Sequence, residues 1–198
     1  MEGNLDEDSP NIIIDNGSRY IKCGLSGEER PRAVFPSCVA YPDKIGSHSL
    51  GFACLDLLRF GGNQLFFGEN AEDKSSPFYR VNYPIENRVV KDWDDMEKIW
   101  SYAFDYKVRV DPTVNKVMLT EAALNPKENR EKMTEIMFES FSVPGLYIAI
   151  QAVLSLYSVG KSNGIGVDLG YNDSQFVPIF DGYALPHSIL CQNFGVEI

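Results

Sequence analysis

Two aspartates stand where a cation or a phosphate chain could be held. Asp15 ends the run Asn11-Ile-Ile-Ile-Asp15, and Gly17 follows two residues later. Asp168 ends Gly164-Ile-Gly-Val-Asp168, and Gly170 follows at the same distance. Beyond each turn a further extended run begins, Tyr20 to Cys23 in the first copy and Phe176 to Phe180 in the second. The pattern is strand, tight turn, strand, written twice. Glycine in such a turn permits positive φ and lets main-chain N–H groups approach a ligand closely. Successive N–H groups of this kind form a nest for phosphate. A carboxylate at the strand end suits a hydrated divalent cation, since Mg²⁺ keeps most of its waters and takes few direct carboxylates. Either Asp-x-Gly alone is an ordinary hairpin turn. The pair, each after an apolar strand, predicts two loops that grip a metal–nucleoside polyphosphate from opposite sides.

These loops need a scaffold, and the intervening chain supplies one. Arg32 to Phe35 reads as a third strand that leaves the sheet at Pro36. Asp92 is placed to cap a helix from Trp93 to Phe104, in which Trp93, Met96, Ile99, Trp100, Ala103 and Phe104 form one apolar stripe. Val117 to Thr120 is a buried strand. Asn125 followed by Pro126, with Glu128 beyond, predicts an N-cap, a proline at the first helical position and a helix to about Ser142. Leu146 to Ile150 is another strand, running straight into a helix from Gln151 to about Val159 that Gly160 ends. Strands that alternate with helices in this way predict a mixed α/β sheet with crossover connections.

Charge and composition narrow the partners. The 198 residues carry a formal net charge of −10, which disfavours nucleic acid and anionic membrane surfaces. Four cysteines, Cys23, Cys38, Cys54 and Cys191, show neither a C-x-x-C pair nor zinc spacing, and read as reduced, mostly buried thiols of an intracellular protein. Residues 1–10 form an acidic tail without the basic and apolar regions of a signal peptide. No apolar run is long enough to span a membrane. Residues 37–82 are glycine-punctuated and predict a small lobe inserted in the main domain, with an apolar cluster between Leu50 and Phe60 that is either its own core or a partner-binding element.

Several long runs, in order, resemble actin. They are Asp15-Asn-Gly-Ser18 with Lys22, Pro31 to Ser37, Tyr83-Pro-Ile-Glu86, Trp93 to Trp100, Leu119-Thr-Glu121, Asn125-Pro126 with Asn129 to Met133, Ala149 to Tyr157, and Gly182-Tyr-Ala-Leu-Pro-His187. The resemblance implies an α/β ribonuclease-H-like fold, the superfold shared with sugar kinases and Hsp70 chaperones. A first lobe would span 11–36 and 83–160, the inserted lobe 37–82, and a second lobe would begin at 161–198. It implies ATP with Mg²⁺ or Ca²⁺ between the lobes, other actin-like subunits and actin-binding proteins as partners, and a place in the cytoplasmic cytoskeleton. By position Gly17, Ser18, Lys22 and Gly170 would serve the phosphates, Asp15 and Asp168 the cation. Gln151 would orient the attacking water, and Gln175 stands where the family has a histidine beside that water. The departures are Arg19 in the first loop, Tyr171 and Asn172 in the second, Gln175, Asn87 in place of a histidine, and a longer insert. They predict hydrolysis that is weak at most, faster if Gln175 were returned to histidine. The competing expectations are a non-catalytic actin-like assembly module and a partial actin product. In either case Val167, Phe176, Val177, Ile179, Phe180, Leu185 and Ile189 are expected to lie exposed for want of later helices.

Overall fold

The computed structural model describes residues 10–42, 65–73, 79–171 and 174–192. The acidic tail up to residue 9, the Leu50 to Phe60 cluster, Cys54 and Asn172 lie outside them. The central sheet has five strands in the order β10-β9-β1-β2-β3. Its strands are β1 (Ile12–Asn16), β2 (Tyr20–Leu25), β3 (Ala33–Pro36), β9 (Val117–Glu121) and β10 (Leu146–Ile150). The first three form an antiparallel meander, while β9 and β10 run parallel to β1. β1 is therefore central, and Ile12 and Ile14 on one of its faces have no exposure at all.

The helices cover this sheet as the apolar stripes require. α2 (Trp93–Tyr102) starts at Asp92, whose side chain accepts from the Asp95 main-chain N–H at 3.0 Å, the predicted cap. Beyond Tyr102 the chain widens into a π-helical turn, Ala103–Val108, where an α-helix through Phe104 was expected. Ala103 and Val108 are both buried, and residues five apart share a face only on the wider turn. Arg109, at φ 58°, closes it. Trp100, Met96 and Ile99 join Ile12, Ile14, Ile21 and Phe35 in the main core, with Met133, Ile136 and Met137 from α3 (Lys127–Glu139).

Local chemistry moved two predicted boundaries. Pro126, not Asn125, occupies the cap position of α3. The Asn125 amide turns instead to Glu121, donating to Oε2 at 3.0 Å. The helix stops at Glu139, short of Ser142, which adopts φ 52° while the Val143 N–H reaches back to the Met137 carbonyl at 3.2 Å. α4 (Gln151–Tyr157) begins where predicted but stops at Tyr157, short of Val159, with Gly160 at φ 70° in the turn beyond it.

Between Pro36 and Tyr83 the described residues build a separate three-stranded sheet, β4 (Val39–Pro42) between β5 (Phe66–Phe67) and β6 (Tyr79–Asn82), with α1 (Glu69–Glu72) beside it. Cys38, Ala40 and Ala71 form its small core. Cys23 and Cys38 are buried, and burial pushes both thiols up to about 11, whereas Cys191 is exposed. A short hairpin, β7 (Ile85–Glu86) and β8 (Val89–Val90), leads to α2.

The second Asp-x-Gly hairpin is β11 (Gly164–Leu169) against β12 (Ser174–Phe180), extended on the far side by β13 (Tyr183–Ala184) and β14 (Leu190–Gln192). One correction concerns its faces. Val177 and Ile179 were expected to be exposed, but they are 0% and 4% exposed, packed with Ala152, Val153 and Leu156 of α4. Phe176, Leu185 and Ile189 are half-buried. Only the opposite face is open, through Ile165, Val167, Leu169, Phe180 and Leu190. What lets α4 lie so close is the absence of side chains on β11: a Cβ at Gly166 would come within 2.8 Å of the Ala152 Cβ, and one at Gly164 within 3.1 Å of Leu156.

Two measurements probe this scaffold. Trp100→Ala removes the largest fully buried side chain and should lower stability by about 3–5 kcal/mol in denaturant melts. Asp95, 2% exposed, gives a pH signature. Burial alone would raise its carboxyl, but hydrogen bonds from Tyr41, Asn82 and Lys98 prevail and hold it below the ordinary 3.8. A depressed carboxyl stabilises the fold above its unfolded pKa, and that contribution is lost as pH falls through the folded value. The stability gap between the wild type and Asp95→Asn should therefore be full at neutral pH and close below about pH 4.

Candidate functional site

The parallel strands β1, β9 and β10 end together, because Ile14 pairs with Leu119 and Ala149 with Thr120. Ligands of α/β sheets bind outside the carboxyl ends of such strands. Here those ends deliver Asp15 and Asn16, Thr120, and Gln151 at the start of α4. Their side chains form one network. Thr120 Oγ1 donates to Asp15 Oδ1 at 2.6 Å and accepts from the Asn16 N–H at 2.9 Å. Gln151 Nε2 donates to Asp15 Oδ1 at 2.8 Å and to the Asn16 carbonyl at 3.2 Å. The Asn16 amide donates to the Thr120 carbonyl at 3.0 Å, and its oxygen accepts from Trp100 Nε1 at 3.0 Å. The buried helix α2 is thus tied to the loop.

In front of this network lies a cavity of about 530 Å³. Asp15, Gly17, Ser18, Arg19 and Lys22 line it from the first hairpin, Asp168 to Tyr171 from the second, and Thr120, Gln151 and Arg88 complete it. Seven of the eight predicted site residues therefore meet: Asp15, Gly17, Ser18, Lys22, Gln151, Asp168 and Gly170. Gln175 does not line the cavity. It is 6% exposed, and its amide donates to the Ala123 carbonyl at 3.2 Å and to Cys191 Sγ at 3.6 Å. Gly17 also has a reason other than the expected positive φ, which it does not adopt. A Cβ would fall 2.4 Å from the Tyr20 carbonyl oxygen, so the turn closes only on glycine.

The cations of the site are paired within the chain. Lys22 Nζ lies 3.1 Å from Asp15 Oδ2. Arg88, which the sequence reading passed over, donates through Nη1 to Asp168 Oδ2 and through Nη2 to the Asp168 carbonyl at 3.2 Å. Arg19 does not obstruct the first loop. Its guanidinium turns to Glu72 and to the Tyr83 hydroxyl at 2.6 Å, and lies over the rings of Tyr83 and Tyr171 at 5.3 and 5.4 Å. Burial opposes its charge, but Tyr83 and Glu72 more than offset that and hold the group above its ordinary value. Arg19 and Tyr171, two departures read separately in the sequence, thus touch across the cleft. The overlooked signal for Arg88 was its setting: Asn87-Arg88 is a two-residue hairpin turn, where glycine is the usual second residue.

Twin strand–turn–strand loops set over the ends of parallel strands in a mixed α/β sheet are consistent with the ribonuclease-H-like class of fold. The actin family model matches residues 6–198, and the chain belongs to that family. Members of the family generally bind ATP with a divalent cation. No helix among the described residues is long and apolar enough to cross a membrane.

Thr120 is the residue on which the network turns, and it is 4% exposed. Thr120→Val keeps the shape but strands the Asn16 N–H and removes a donor from Asp15. It should cost about 1–3 kcal/mol in denaturant melts, with Thr120→Ser recovering most of the loss.

Proposed function

We propose that this chain is an actin-like cytoskeletal subunit whose cleft takes the phosphates of ATP. The observation that carries the reading is the meeting of both Asp-x-Gly loops on one cavity with Lys22, Thr120 and Gln151. Gly17 and Ser18 offer main-chain N–H groups and a hydroxyl to a phosphate, Gly170 does so from the opposite wall, and Lys22 supplies charge. Gln151, anchored through its amide nitrogen, keeps a carbonyl oxygen that can accept from a water without repelling it as a carboxylate would. Bound ATP would supply the scissile phosphoanhydride; the protein's share is to hold the phosphates and orient that water. As a subunit it would meet other actin-like chains and actin-binding proteins in the cytoplasm, and its lobes would divide as the resemblance implies.

A second reading, a non-catalytic actin-like assembly module, is favoured by one specific placement. Gln175 sits away from the cavity and is held by Ala123, so it contributes nothing to proton transfer there. Both readings require nucleotide binding to be measured directly. Titration calorimetry with ATP should show saturable binding that Lys22→Ala weakens by at least about tenfold, the loss of one charge-assisted contact. Absence of binding at millimolar ATP would sink the nucleotide reading. Hydrolysis in the wild type should be slow, and Gln175→His should leave it unchanged, because the new imidazole would point at Ala123. A clear rise in phosphate release would reinstate position 175 as part of the reacting site.

A further inference from the structure

The partners of Arg19 come from separate parts of the fold. Its main-chain oxygen accepts from the Ser37 N–H at 2.9 Å. Nη1 donates to the Tyr83 hydroxyl at 2.6 Å, and Nη2 donates to Glu72 Oε1. The guanidinium lies over the Tyr83 ring at 5.3 Å and over the Tyr171 ring at 5.4 Å. Ser37 and Tyr83 stand where the chain enters and leaves the small three-stranded sheet, and Glu72 ends α1 beside it. Tyr171 lies just beyond β11, in the turn of the second hairpin. Arg19 itself belongs to the turn of the first, between β1 and β2.

These contacts divide between two sides of one group. Arg19 and Tyr171 line the cavity, whereas Glu72 and Tyr83 are not part of its lining. The hydrogen bonds of the guanidinium are thus spent toward the small sheet, and Tyr171 meets it with a ring face. That contact asks for no further donor. A guanidinium hydrogen-bonds through its edge and stacks through its plane at the same time, and the ring quadrupole attracts the charge even where a carboxylate already pairs with it. The second turn has another tether three positions earlier, where Asp168 receives Arg88 from the turn between β7 and β8. Two side chains from outside the second hairpin therefore hold its turn, and the one at position 19 also grips the small sheet.

We infer that Arg19 is a clasp: it fastens the turn of the second hairpin to the small three-stranded sheet, so that the spacing of the two loops and the position of that sheet are coupled through the chain itself. The clasp stands on contacts within the protein and is tested without nucleotide, so it and the nucleotide reading fail separately. Amide hydrogen exchange is followed on the full chain, at residues 164–171. Tyr171→Leu should speed exchange there by about two- to fivefold, the worth of a partly exposed cation–π contact. Tyr171→Phe keeps the ring face and should exchange like the wild type. Tyr171 is 46% exposed, so both variants retain the fold, and melting curves confirm it. Arg19→Gln should match Tyr171→Leu, and the double variant should be no faster than either, because both remove one contact. Glu72→Ala removes the grip from the side of the small sheet and should speed exchange at 164–171 in the same direction. Unchanged exchange in Tyr171→Leu, equal acceleration in Tyr171→Phe, or additive effects in the double variant overturns the clasp. Acceleration in Tyr171→Leu with none in Glu72→Ala overturns the coupling to the small sheet.

Discussion

The end of β1 is held by a hydrogen-bond knot, and the rest of the site depends on it. Asp15 receives Thr120 and Gln151 on the same oxygen, and Asn16 ties the neighbouring main chain to Trp100 and to β9. Each of these groups would be costly to bury without its partner. Together they require three strands and two helices to be in register before the first loop can take its shape. That requirement links the hydrophobic core to the cleft: Trp100 fills the one and hydrogen-bonds into the other.

Charge pairing then decides what the cleft can attract. An acidic protein with a formal net charge of −10 is a poor trap for a phosphate chain unless cations are concentrated locally. Here they are concentrated from two stretches of the chain, positions 19 and 22 in the first hairpin and position 88 in another, and each is fixed by a partner: Glu72, Tyr83 and Tyr171 for the first, and the motif carboxylates Asp15 and Asp168 for the second and third. Fixed cations lose little on binding, since their orientation is set before a ligand arrives.

Much of this was legible in the sequence for a simple reason. Strand ends marked by Asp-x-Gly and helices marked by an apolar stripe are local signals, and β1, α2 and α4 began where those signals stood. Register was not local. That Gln175 would face Ala123 rather than the cleft follows from how β12 packs with Ala123 and with Ala152 of α4, which no spacing within residues 164–180 encodes. Likewise the burial of Val177 and Ile179 came from α4, an element the sequence had already placed in the first lobe. Arg88 was hidden because an arginine in a turn looks like a solvated charge until its long-range partner, eighty positions away, is known.

The seat of β11 on α4 sets a dimension of the cleft. Gln151 opens that helix, Ala152 follows it, and the strand residue resting on Ala152 is Gly166, two positions before Asp168. Where the helix meets the strand, the methyl group of Ala152 alone fills the space against Gly166. The gap is gauged by the size of residue 152, as a shim gauges the fit of two machined parts. A valine in its place would act on a bound ligand without touching it, by prising the two walls apart.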